Sequence, residues 1–115
     1  MSDGFQIDIA TAIASLPKAP AEQYNIVYRH GTFEAGLYAP RGVDDQTPHT
    51  RDEAYVVVKG TGFFVCGESR KSFGPGELLF VPAGTVHRFE AFSSDLTVWV
   101  IFYGPIGGEH VEEGG

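Results

Sequence analysis

Glu53-Ala54-Tyr55-Val56-Val57-Val58-Lys59-Gly60-Thr61-Gly62-Phe63-Phe64-Val65-Cys66 is the stretch that decides the fold class. Its first half, Glu53 to Lys59, is rich in valine and tyrosine, side chains that suit a pleated surface. Gly60 and Gly62 mark a reversal, and Phe63 to Cys66 returns as a second strand, so the whole reads as a hairpin.

Toward the C-terminus the same punctuation repeats. Gly67-Glu68-Ser69 forms a turn, Ser72 to Glu77 holds the Gly74-Pro75-Gly76 corner, and Leu78 to Val81 reads as a short buried strand. After the Pro82 to Thr85 turn, His87 to Phe92 alternates, with His87 and Phe89 inward and Arg88 and Glu90 outward. Leu96 to Tyr103, including Trp99, is apolar on both faces, which suggests cover from the barrel interior and from another sheet or a partner subunit.

Toward the N-terminus, Pro40 to Pro48 is a polar loop. Tyr24 to His30 and Thr32 to Ala39 flank Gly31, as a hairpin or as one strand with a glycine bulge. Asp8 to Leu16 is expected to form a short helix capped by Asp8 or Thr11, and Lys18 to Glu22 a Pro/Ala-rich connection. The reading is an all-β chain, a small jelly-roll β-barrel with a short N-terminal helical segment. It divides into an N-terminal extension over 1–22, the barrel over 23–104 and a flexible acidic tail over 105–115.

Composition agrees. In 115 residues the chain has fifteen glycines, seven prolines, nine phenylalanines and five tyrosines, which disfavours a helical bundle. A net charge of −7 without a Lys/Arg cluster disfavours nucleic acid and anionic membrane partners. Met1 to Phe5 has no basic region, and the apolar stretch Ile7 to Leu16 contains Asp8 and ends at Pro17, so neither a signal peptide nor a membrane span is expected. Cys66, the only cysteine, allows no intrachain disulfide and reads as a small half-buried hydrophobe; a cytoplasmic protein is expected.

His49-x-x-x-Glu53 and the segment Gly76-x-x-x-x-x-Pro82-x-Gly84-x-x-His87 carry the chemistry. His49 and Glu53 are an even number of residues apart on an extended segment, so they share a face, and His87 would reach them from a neighbouring strand. Two imidazoles and a carboxylate suit a divalent transition metal and leave coordination positions free. The same three groups would also serve as a metal-free hydrogen-bonded cluster, with Arg51, which shares their parity, as a partner for the carboxylate. Tyr55 lies on the Glu53 face as a hydrogen-bond donor or acid/base, and Gln46 ends the polar loop as a fourth ligand or substrate contact. Tyr28, Phe33, Phe64, Phe80, Phe89 and Trp99 are expected in the apolar wall.

These two segments resemble the two motifs of the cupin superfamily. Its first motif reads glycine, five residues, His-x-His, three or four residues, Glu, six residues, Gly; His49, Glu53 and Gly60 match the second half. Its second reads glycine, five residues, Pro-x-Gly, two residues, His, three residues, Asn; Gly76, Pro82, Gly84 and His87 match at every interval. Thr47 stands in place of the first motif histidine, Gly42 lies one residue closer than the pattern asks, and Ala91 replaces the asparagine. The resemblance implies a metal held by His49, Glu53 and His87, with Gln46 available in the place of the missing histidine. It implies one divalent ion, iron(II) first, with zinc, manganese, nickel or copper as alternatives, and barrels paired as a homodimer. The expected function is a metal-dependent enzyme of dioxygenase type acting on a small organic molecule, with Tyr55 and Arg51 as candidate catalytic residues. Isomerase, lyase or hydrolytic chemistry at a non-redox metal, or a non-catalytic ligand-binding barrel, are the alternatives.

Overall fold

The computed structural model describes residues 4–19 and 21–110. Eight strands follow one short helix: α1 (Ile9–Ala14), β1 (Tyr24–His30), β2 (Phe33–Tyr38), β3 (Asp52–Lys59), β4 (Gly62–Cys66), β5 (Ser69–Phe73), β6 (Leu78–Val81), β7 (His87–Glu90) and β8 (Thr97–Tyr103). They form a five-stranded sheet, β1-β2-β8-β3-β6, facing a three-stranded sheet, β5-β4-β7, with every pairing antiparallel. This is the small jelly-roll barrel expected from the spacing of turns.

The core lies between the sheets. Tyr55, Val57, Val81, Val98, Val100 and Phe102 from the large sheet meet Phe64, Phe73 and Phe89 from the small one. The Phe89 ring has Tyr55, Phe64 and Phe73 at centroid distances of 5.1, 5.2 and 5.4 Å, and truncating so enclosed a ring costs about 3–5 kcal/mol. Gly60 closes β3 with φ +102°, and a Cβ there would lie 2.6 Å from Leu96 Cα. Only glycine fits both constraints.

Of the two readings of Gly31 the hairpin is the one formed, since His30 pairs with Phe33, and the irregularity in β1 falls at Ile26/Tyr28. Other expectations are corrected. Ser69–Phe73, where the sequence suggests only a turn and a corner, forms the edge strand β5; four of its five residues are exposed, so it shows no apolar alternation. β6 is not a buried strand: it is the edge of the large sheet, and Leu78 and Phe80 are 70% and 49% exposed. Phe80 pairs with Ala54 and Trp99 with Leu37 and Val56, which puts these side chains on the outer face. Phe64 and Phe89 do belong to the inner wall, whereas Tyr28, Phe33, Phe80 and Trp99 do not. Outer-face cover comes partly from the N-terminal segment, where Phe5 stacks on Tyr28 at 4.3 Å and α1 packs against β2.

α1 is shorter than expected. Asp8 sits at its N-cap without a capping bond; its carboxylate accepts from the Thr11 hydroxyl instead. Beyond β8 the segment read as a mobile tail is hydrogen-bonded over its described part. Gly107 N–H donates to the Thr50 carbonyl at 2.7 Å and Glu109 N–H to Asp52 Oδ2 at 2.8 Å. Residues 111–115 lie outside the described residues. Among the described residues, no helix is long and apolar enough to cross a membrane.

Candidate metal centre

Glu53 is on β3, the strand flanked by β8 and β6, opposite Phe102 and Val81. That central position places its carboxylate inside the barrel, 1% exposed. His87 opens β7 on the facing sheet, paired with Cys66, and is equally buried. His49 lies just before the bend at Thr50–Arg51 that leads into β3, held where Gly84 N–H donates to its carbonyl at 2.8 Å. The Pro82-to-Gly84 turn thus both delivers His87 and fixes the loop bearing His49.

Side-chain donor atoms of His49, Glu53 and His87 all lie within 4.8 Å of one another. Glu53 Oε1 is 3.2 Å from His87 Nε2 and 3.7 Å from His49 Nε2. Ligands about 2.1 Å from a tetrahedral ion stand about 3.4 Å apart, so these three surround a point a metal ion fits.

The tautomer of His87 sharpens this. Its Nδ1 faces the Thr85 carbonyl at 2.9 Å, and a carbonyl only accepts, so the proton sits on Nδ1. In the neutral ring Nε2 then carries a bare lone pair aimed at a carboxylate oxygen, another acceptor. Among the described residues, Glu53 Oε1 and His87 Nε2 are the buried side-chain polar atoms without a hydrogen bond. Leaving such an atom unmet costs about 1–3 kcal/mol, so a cation belongs between them, either a metal ion or a proton. The proton alternative is visible in His87 itself: burial alone would lower its pKa, but Glu53 and the Thr85 carbonyl outweigh burial and the net shift is upward.

Gln46 joins the three. Its Oε1 is 3.3 Å from His49 Nε2 and accepts a hydrogen bond from Tyr55 Oη at 3.0 Å. Tyr55 is fully buried, and burial, then Glu53, push its phenol well above the ordinary range, so at neutral pH it is a donor rather than a base. Arg51 lies at the rim, turned away from Glu53. Its guanidinium pairs with Glu34, donates to the Thr32 carbonyl at 2.6 Å and lies 5.8 Å from the Phe102 ring centre. Arg51 shares the parity of Glu53, but it stands in the bend before β3 and its partners are Glu34 and Thr32.

A cavity of 440 Å³ opens onto the site, lined by Tyr24, Tyr38, Thr47, Val100 and Phe102 besides His49, Glu53, Tyr55 and Gln46, with Glu22 and Asp45 exposed at its mouth. Among the described residues, no Lys or Arg lines it. Burial, with Glu34 and Glu53 adding, pushes the Tyr24 phenol up to about 12, as an acidic enclosure should. Thr47, in the position of the missing histidine, lines the cavity but is exposed. Sequence reading missed Asp44, a buried carboxylate 5% exposed that holds Gln46, Tyr38 and the backbone of Phe89. Nothing local marks it, because its partners lie up to 45 residues away.

Comparison with known proteins agrees with this architecture. A family model described as a cupin domain matches residues 36–103. An uncharacterised protein of Streptomyces coelicolor is 38% identical over 79 residues, covering 67% of this chain and 75% of that protein. Among solved structures, a cupin-2 domain-containing protein from Shewanella frigidimarina superposes with a TM-score of 0.69 at 16% identity, over 85% of this chain and 94% of the other. KdgF from Halomonas superposes with a TM-score of 0.63 at 24% identity, over 73% and 79%. Likeness at these identities concerns the fold.

Proposed function

Because the chain belongs to the cupin family, we propose that it is a metal-dependent enzyme acting on a small organic molecule, with one divalent transition metal held by His49, Glu53 and His87. One observation carries this reading: two buried, unsatisfied acceptors, Glu53 Oε1 and His87 Nε2, face each other at 3.2 Å beside a third donor and an open cavity. Iron(II) is the favoured ion and an oxygen-dependent, dioxygenase-type reaction the favoured chemistry, since two imidazoles and one carboxylate with free positions is the donor set of non-haem iron oxygenases. Such an ion supplies a Lewis acid and a site where oxygen and substrate meet.

The protein's own groups then have defined tasks. Val100 and Phe102 present an apolar wall that excludes water, while Tyr55 keeps its proton and donates it to Gln46 Oε1, fixing that amide beside the site. Glu22 and Asp45 at the mouth, with no cation in the lining, favour an uncharged or cationic substrate over an anionic one. Arg51, already neutralised by Glu34, contributes at the rim by fixing the wall around Phe102. A second reading, a non-redox ion such as zinc in an isomerase or lyase, draws on the same three ligands, since imidazole and carboxylate donors suit zinc as well as iron. We place the protein in the cytoplasm, where its single Cys66 stays reduced, and as a homodimer joined through the outer face of the large sheet.

Elemental analysis of protein expressed with each metal tests the central claim. One equivalent of metal is expected, lost in His49→Ala and His87→Ala; metal-free protein under every condition refutes it. Turnover at an unchanged rate without oxygen would discard the dioxygenase version alone, and ligand binding that survives chelation would instead favour a non-catalytic barrel.

A further inference from the structure

Gln46 can present either end of its amide to the cavity, and its surroundings select one. We infer that Asp44 is a positioning residue, which aims the Gln46 carbonyl oxygen at the metal centre and so supplies an oxygen donor where Thr47 leaves the motif one ligand short. This inference rests on the metal reading above.

The Asp44 carboxylate is buried and accepts three hydrogen bonds: from Tyr38 Oη at 2.5 Å, from Gln46 Nε2 at 2.7 Å and from the Phe89 N–H at 2.9 Å. An ionised carboxylate has no proton to give, so Gln46 must turn its NH₂ toward it. Oε1 is thereby directed the other way, to 3.3 Å from His49 Nε2 and 3.0 Å from Tyr55 Oη. A flipped amide would set its oxygen against the carboxylate, acceptor facing acceptor, and would lose the 2.7 Å bond from Nε2, which is costly. Tyr55 occupies one lone pair of Oε1, and the second remains for a cation shared with His49. Phe89 lies two residues beyond His87 on β7, so one carboxylate fixes both the loop bearing Gln46 and the strand bearing His87. Partners of metal ligands that act in this way typically govern affinity by 10- to 100-fold.

Cobalt(II) added to chelated protein, followed by its visible absorption and by competition with a chromophoric chelator, reads both affinity and coordination. Asp44→Asn and Gln46→Leu are expected to weaken cobalt binding about 10- to 100-fold and to shift the visible bands to a common spectrum with fewer ligands. Asp44→Asn combined with Gln46→Glu should recover the wild-type affinity to within about threefold, because both ends of a carboxylate are oxygen and no longer need aiming. A purely structural loss at Asp44 would not be rescued this way. Should Asp44→Asn fail to fold, Gln46→Leu and Gln46→Glu decide the matter: both are expected to lose affinity, the first for want of an oxygen donor and the second because its carboxylate meets that of Asp44, and a Gln46→Glu variant with wild-type affinity overturns the aiming by Asp44. Unchanged affinity and spectrum in Gln46→Leu, or a double variant as weak as Asp44→Asn, overturns the inference and leaves the three-residue site intact. Wild-type protein that binds no cobalt through His49 and His87 overturns both.

Discussion

Replacing His87 by Ala in metal-free protein should destabilise the fold chiefly by stranding Glu53. At an effective dielectric of about 20, unit charges 3.2 Å apart attract by about 5 kcal/mol. Desolvation offsets much of this, while breaking a buried pair from one side costs about 3–5 kcal/mol. His87 has a raised folded pKa, so its pairing contributes fully below the unfolded value of about 6.5 and is lost as pH rises through the folded value. A double-mutant cycle at pH 5.5 over His87→Ala and Glu53→Gln, by urea denaturation with chelator present, should therefore give a coupling of about 2 kcal/mol, since His87→Ala costs less once the carboxylate is gone. The same cycle at pH 9 should give less than half of that. Coupling below about 0.5 kcal/mol at pH 5.5, or coupling that grows with pH, would refute the claim that these groups meet as a charged pair when metal is absent.

Ala91, with φ +46°, occupies the left-handed region at the position where the second motif carries asparagine. Asn tolerates that conformation and Gly has no Cβ to strain, so Ala91→Asn or Ala91→Gly should stabilise by about 0.5–1 kcal/mol, read from the urea midpoint; an unchanged or lowered midpoint would count against strain there. Glu22→Gln with Asp45→Asn should strengthen azide binding to the cobalt-loaded site at low salt, since each removes a negative charge from the cavity mouth. Neutral imidazole should be unaffected, and equal gains for both probes would remove the electrostatic explanation. Sedimentation of the wild type should show a dimer, and Phe80→Lys, on the exposed outer row with Leu78, should yield a monomer; a monomeric wild type at micromolar concentration would dispose of the proposed pairing.

The fold was legible because turns and alternation are local. Gly60 must be glycine for reasons of φ and of contact, and its place after a Val-rich run marks the first hairpin in the sequence alone. The polar edge strand β5 was not legible, because a strand that buries one residue of five carries no periodic signal. Outward-facing aromatics such as Trp99 and Phe80 were misassigned, because hydrophobicity reports that a side chain seeks cover without saying on which face of the sheet. Glu53 and Tyr55 share a face by parity on β3, whereas His49 lies beyond the bend at Thr50–Arg51, and the structure brings both it and His87 to them. Arg51 shared that parity too, but chain direction in a bend is set by neighbours such as Glu34 rather than by counting residues.

The chain by itself determined the architecture, the three candidate ligands and the vacancy at Thr47, since each is written in residue types at short fixed intervals. Tertiary structure alone decided that two of those ligands face each other as bare acceptors, that Tyr55 stays protonated, and that Asp44 grips Gln46 from beside β7. Burial and hydrogen bonding between distant segments create these properties, and they exist only once the sheets have closed on each other.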